Sequence, residues 1–362
     1  MNTVKRTEDI DFKQNYKREI TKKVSFVVCS LVVLVVLAVL SCAIGTGYGF
    51  FETYQIILDH IMGVVPANKA EWWADHYVWE NVLPSVVAAI IAGAGLALGG
   101  SVMQSMMGNP LADPYTTGIS SGACFGAVAS ITLGLSFSSL GGEMGIVAMA
   151  FVGALVPALM MILLSKYINT SPSTLILIGT AISYFFNAMV TYVMVIADAD
   201  ALQDAFIWQI GAVSDLHWSD IPLMLCVVAI GSVLIMVVSN KLNLMMMGDN
   251  SAKTMGLDVE NFRMLCLILI SILVASIISF TGIIGFVGLI APHITRFIIG
   301  GDNKFVVPAG MLMGAIILCL ADLASRCLLD YGNVPIGVVM SFIGAPVFLY
   351  LVTRSKSDKE VF

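Results

Sequence analysis

Charge is scarce in this sequence. Only 12% of its 362 residues are Asp, Glu, Lys or Arg, against about 25% in soluble globular domains. Apolar residues make up 58%, and the mean hydropathy is +0.93. So little polar surface cannot coat a water-soluble fold of this size, which excludes a soluble enzyme, a disordered tail protein and a secreted disulfide scaffold. Alternating segments of about 10 residues, the mark of a membrane β-barrel, are missing as well. The seven cysteines form no C-x-x-C pair and mostly sit in apolar runs, where they read as small buried hydrophobes. Nor is there a G-x-x-x-x-G-K-[ST] phosphate loop, since Gly300-Gly301-Asp302-Asn303-Lys304 does not fit it. An integral membrane protein remains.

Long apolar runs are what the sequence does have. A spanning helix needs about 20 such residues. Runs at 24–44, 83–107, 116–134, 144–165, 173–197, 220–239, 264–281, 284–299, 306–325 and 335–353 predict ten transmembrane helices and an all-α fold. The organisation is a basic tail at 1–23, a ten-span domain at 24–354 and a C-terminal tail at 355–362. Placing the basic tail inside puts both termini and the loops 108–115, 166–172, 240–263 and 300–305 in the cytoplasm. Of the 18 Lys and Arg, only Lys69 and Arg326 then lie outside. The external stretch 198–220 holds Asp198, Asp200, Asp204, Asp215 and Asp220, with no Lys or Arg. Spans two to five begin outside and spans seven to ten inside, so any repeat relating them is inverted. Lipid is the expected surrounding, and nothing points to nucleic acid.

Three stretches carry more than hydrophobicity. The first runs from Gly99-Gly100-Ser101-Val102-Met103-Gln104 to Asn109-Pro110-Leu111-Ala112-Asp113-Pro114. Pro110 cannot extend a helix, and Asp113-Pro114 reads as an N-cap with proline at the first helical position. A tight cytoplasmic turn follows. The second is the loop 240–263, where Asp249 or Asn250 can cap a short helix, Gly256 suits its left-handed end, and Asp258 can cap the next helix. Such a cytoplasmic helix could dock a partner. The third is Gly282-Ile283-Ile284-Gly285-Phe286-Val287-Gly288-Leu289-Ile290-Ala291-Pro292-His293-Ile294-Thr295-Arg296. Its glycines and proline predict an interrupted helix, tolerated where it is buried in protein or lines a cavity.

Together these motifs resemble the FecCD/BtuC-like permeases of ATP-binding-cassette importers for iron–siderophore, haem or cobalamin. That family reads G-x-x-x-Q-x-x-x-x-N-P-L-A-D-P, then G-E-E-x-A-x-x-L-G, then G-F-V-G-L-x-x-P-H-x-x-R. Leu320 to Arg326 and Pro335 to Pro346 match two further family motifs, with one difference at Ser325. The resemblance covers about 79–354. It implies a homodimer, two cytoplasmic ATPase subunits that use ATP and Mg, and an extracytoplasmic substrate-binding protein. It also implies that this chain binds no cofactor and is no enzyme. Gly248, Asp249, Asn250, Ala252 and Gly256 would couple to the ATPase, with Asp and Asn in place of the family's paired Glu. Ser101, Met103, Gln104, Gly285, Gly288 and Pro292 are the pathway candidates.

The departure from the family lies at the outer end of span two. The usual R-L-P-R is Val82-Leu83-Pro84-Ser85 here, so both basic positions are neutral. Lys69, Asp204 and Arg326 are the candidates for docking the binding protein. Either docking depends less on basic permease residues, or the partner offers Lys or Arg to the acidic loop. An ion-coupled transporter is the rival class, and Asp322 is its clearest carboxylate. Arg326 lies one helical turn away and could satisfy it. Asp59-His60, Glu71 and Asp75-His76 match no metal spacing and read as solvated loop residues.

Overall fold

A computed structural model describes residues 2–135, 142–165, 167, 171–328 and 333–355, with backbone alone for 2–14, 165, 352, 354 and 355. The part of the C-terminal tail past Ser355, and Lys166 in the loop 166–172, lie outside the described residues. The rest is helical, with no strand among the described residues. In chain order the helices are α1 (Asn2–Ala43), α2 (Phe50–Ile61), α3 (Lys69–His76), α4 (Leu83–Met107), α5 (Ile119–Leu133), α6 (Glu143–Ser165) and α7 (Pro172–Ile196). There follow α8 (Ala199–Ile210), α9 (Ile221–Met246), α10 (Asp249–Thr254), α11 (Val259–Thr281), α12 (Val287–Ile299), α13 (Asn303–Cys327) and α14 (Ile336–Ser355).

Seven helical stretches are long and apolar enough to span a membrane, and α5, α12 and the apolar part of α14 are shorter. These are the ten expected runs. With 13 residues, α12 is about 20 Å long, too short to cross a hydrocarbon core of about 30 Å alone. The first span also differs: α1 continues without a break through the basic segment to Asn2. One end of the bundle therefore carries this segment, α10 and the 300–305 loop. The other carries α2, α3 and α8. They are called the basic and the acidic end below.

α4 is the axis of the fold. Its apolar window is 78% buried, against 22% for α9, and it packs on α9, α11, α12 and α13. Small residues make this possible. A methyl group on Gly93 would overlap the backbone of Gly314 in α13, and one on Gly100 would overlap the backbone of Gly288 in α12. Close approach of this kind replaces the hydrophobic drive that helices lack inside lipid.

The long stretch between the first two spans is structured. Asn68 caps α3 by accepting the backbone N–H of Glu71 at 3.0 Å, and α3 runs through a π-helical turn, Tyr77–Val82, into α4. His60 of α2 meets Asp75 at 2.8 Å and stacks on Trp79. Trp218 then donates its indole N–H to the carbonyl of Trp79 at 2.8 Å. The histidines and carboxylates of this region hold helices together, and no metal-binding group of three or more appears among the described residues.

Candidate functional site

At the basic end, α10 is a short helix held from one side. Gly248 starts it at φ +90° and Gly256 ends it at φ +84°, both in space that only a residue without Cβ occupies readily. Ala252 is fully buried. Neither expected cap forms: Gly248 is the N-cap, and Asp249 instead meets Arg263 of α11 at 2.6 Å. The reason is electrostatic, because Arg263 is 1% exposed and a buried guanidinium demands a countercharge more strongly than a helix end does. Asp258 caps α11 through the N–H of Asn261, as expected. The outer face of α10 is open. Asn250, Lys253 and Thr254 point away from the bundle, flanked by Met247 and Met255, which are 58% and 54% exposed.

The segment after α4 makes a deeper excursion than a surface turn. Gly108 ends α4 in the left-handed region, and the Asn109 side chain accepts the N–H of Leu111 at 2.9 Å. The chain then doubles back into the bundle. Asp113 caps a 3-10 turn, Pro114–Thr117, and Pro114 sits beside Gly99 and Gly288. Gly99 lies eight residues before the end of α4, about 12 Å along its axis. The Asn109–Pro114 turn is thus half surface and half interior, a correction to the simple cytoplasmic hairpin.

The expected interruption falls at 282–286. Gly282 leaves α11 at φ +66°, and Phe286 enters α12 at φ +69°, the only non-glycine residue with positive φ among those described. Freed backbone groups in lipid need partners. Tyr115 donates to the carbonyl of Ile284 at 2.9 Å, Gln104 to that of Leu289 at 3.1 Å, and the Ala212 N–H to that of Thr281 at 2.9 Å. Below the break, Arg296 donates to the Ser105 hydroxyl at 2.7 Å, to Asn303 at 3.0 Å and to the carbonyls of Ser101 and Gly301 at 3.2 Å. It ties α12 to α4 and α13.

The pathway candidates are mostly interior. Ser101, Met103, Gln104, Gly288 and Pro292 are all buried among helices of this one chain, and only Gly285 is half-exposed. Gly288 lets α12 approach α4, and the Ser101 and Gln104 side chains donate to the carbonyls of Ala97 and Leu289. Among the docking candidates, Lys69 and Asp204 are exposed. Arg326 is not: it is 6% exposed, pairs with Asp322 at 2.7 Å and donates to Ser41 at 2.6 Å. Asp322 also accepts the Ser85 hydroxyl at 2.8 Å. Arg326 therefore links α13 to α1 and presents no charge at the surface.

One feature escaped the motif reading. On α7, Thr180, Tyr184, Asn187 and Thr191 recur every three or four residues and are all exposed. Tyr192 beside them is 68% exposed and Tyr184 74%. The exposed face of α9 offers a contrast: Leu223, Leu225, Ile230, Val233, Leu234 and Val237 are all aliphatic, as suits lipid. Asn187, near the middle of α7, makes no side-chain hydrogen bond among the described residues. An amide there faces other protein or water-filled space, because lipid offers it no partner. The sequence signal was the spacing itself, i, i+4, i+7, i+11, inside an apolar run.

The model of the FecCD transport family matches residues 30–354. The vitamin B12 import system permease of Vibrio cholerae is 34% identical over 279 residues, covering 77% of this chain and 83% of the relative. The hemin transport system permease of Yersinia pestis is 31% identical over 332 residues, covering 91% and 95%. A solved metal-chelate type ABC transporter, in an inward-facing conformation, is similar with a TM-score of 0.78 at 28% identity, covering 91% of this chain and 99% of that one.

Proposed function

The chain belongs to the FecCD transport family, and on that premise we propose that two copies form the path by which an iron–siderophore type chelate enters the cell. The chelate is received from an extracytoplasmic binding protein, and two separate cytoplasmic ATPase subunits supply the energy. The basic end faces the cytoplasm, a placement supported by the distribution of Lys and Arg. Cobalamin and haem are the alternative cargoes, in keeping with the vitamin B12 and hemin systems among the relatives.

The observation that carries this reading is α10. Its inner side is fixed by Ala252 and by the Asp249–Arg263 pair, so a push on it moves α9 and α11 with it. Its outer side offers two exposed methionines and several exposed polar groups, among them Asn250 and a Lys253 that meets Glu260 of α11 at 3.0 Å. Adaptable thioethers beside hydrogen-bonding groups suit a cleft on another subunit. The path itself lies along the uncharged polar stripe of α7, closed by the second copy, and α14 contributes its exposed Ser341 and Phe342. The alternative of ion coupling gains nothing from Asp322, which already holds Arg326 and Ser85.

The test is purification of the tagged chain from its own membranes in mild detergent. A stoichiometric protein with a phosphate-binding loop and ATPase activity is expected. It should be lost on Gly256→Trp, while the variant chain elutes as a single species. A well-behaved wild-type chain with no ATPase at any salt concentration would reopen ion-coupled transport.

A further inference from the structure

The surface assigned to the path also bears on what can use it. Between Pro172 and Ile196, α7 has no Asp, Glu, Lys, Arg or His, and neither does α14 from Ile336 to Leu351. The exposed polar groups along α7 are hydroxyls, an amide and phenol rings, flanked by the exposed apolar side chains of Leu177, Phe185, Val195 and Ile196. At the acidic end α7 passes through Ala197 straight into α8, where Asp198, Asp200 and Asp204 are exposed. Beyond α8 stands a cleft of about 430 Å³ lined by Trp208 and Phe280 together with Glu143, Asp215, His217 and Asp220. The family's two basic positions are Val82 and Ser85, both buried. Arg326 is neutralised by Asp322. Among the described residues, that leaves Lys69, on α3, as the exposed cation of the acidic end.

We propose that this permease passes neutral or cationic chelates and rejects anionic ones. The inference rests on the reading that α7 lines the path. An anion approaching the dimer meets the carboxylates of α8 twice over, with a single ammonium per copy, Lys69 on α3, against them. If it enters, it loses hydration in a stripe that offers no countercharge. A neutral or cationic chelate meets neither penalty. Its amide and ring periphery finds the hydroxyls of Thr180 and Thr191, the Asn187 amide and the faces of Tyr184 and Tyr192.

The complete importer, reconstituted in liposomes with its ATPase and binding protein, tests this by ATP-dependent uptake of a fixed panel. The panel is a neutral corrinoid, a neutral ferric hydroxamate, a monocationic ferric hydroxamate, anionic haemin and a trianionic ferric tris-catecholate. The same panel is run on Asp198→Asn/Asp200→Asn/Asp204→Asn, in which Asn keeps the cap at 198. In the wild type, a neutral or cationic member should enter at least about tenfold faster than either anion. In the variant the anion-to-neutral ratio should rise about threefold or more, and added salt should act in the same direction. Taking the ratio separates the path from binding-protein docking, which would change all members together. Preferred uptake of an anion, or a ratio unmoved by the variant, overturns the charge selection while leaving the permease reading intact. ATP-dependent uptake of no member overturns both.

Discussion

Breaking the Asp322–Arg326 pair should cost this protein stability before it costs recognition. Both side chains are nearly inaccessible, at 2% and 3% exposure. Arg326 also holds Ser41 of α1, and Asp322 holds Ser85 of α4, so the pair joins three helices. Removing one partner of such a pair leaves the other charge buried and uncompensated, at about 3–5 kcal/mol. Asp322→Asn keeps an acceptor for Ser85 but strands the guanidinium, and Arg326→Met strands the carboxylate. Each should lie in that range. The double variant Asp322→Asn/Arg326→Met buries no charge and should cost clearly less than the sum, with a coupling of about 2 kcal/mol or more. The assay is thermal unfolding in lipid nanodiscs, followed by tryptophan fluorescence. On the scale of about 2 °C per kcal/mol for domains of 250 residues, each single variant should melt several degrees below wild type. Additive losses, or single variants that melt like wild type yet no longer capture the binding protein, would refute the structural role and return Arg326 to the docking surface.

Three further outcomes follow from the packing. Gly100→Ala should disrupt the α4–α12 contact, since the added methyl overlaps Gly288, and should lower the yield of folded protein; Gly285→Ala, with no neighbour within 4 Å, should be tolerated. Asp249→Ala should strand Arg263 and weaken ATPase co-purification at least about fivefold, measured by titrating the purified ATPase onto the chain in nanodiscs. Asn187→Leu should leave the melting temperature within about 2 °C of wild type, because Asn187 touches nothing it would lose, yet reduce chelate uptake several-fold.

The fold was largely legible because its signals are local. Apolar runs of spanning length, the caps at Asp113 and Asp258, the left-handed glycine at 256 and the i,i+4 relation of Asp322 and Arg326 each sit within a few residues of chain. What escaped depends on residues far apart in sequence. Nothing near Pro114 announces that it will lie against Gly99 and Gly288. Nothing near Arg326 announces that Ser41, 285 residues earlier, will draw it inward. Asp249 looked like a cap because the competing partner, Arg263, stands 14 residues on. The pathway candidates stand in motifs that encode helix contact: Gly288 lies against the backbone of Gly100, and the Ser101 side chain against Gly310. The α7 stripe belongs to no motif, and only its contrast with the aliphatic face of α9 gives it away.

If two copies enclose a water-filled path, the polar face of α7 borders it. In a cysteine-free form of the reconstituted complex, single cysteines at 180, 184, 187 and 191, and at 230, 233 and 237 on α9, can be challenged with a membrane-impermeant maleimide. Labelling is expected at the four α7 positions, at rates that change when ATP is added, and none on α9. Equal silence on both helices would place α7 in lipid and contradict that expectation.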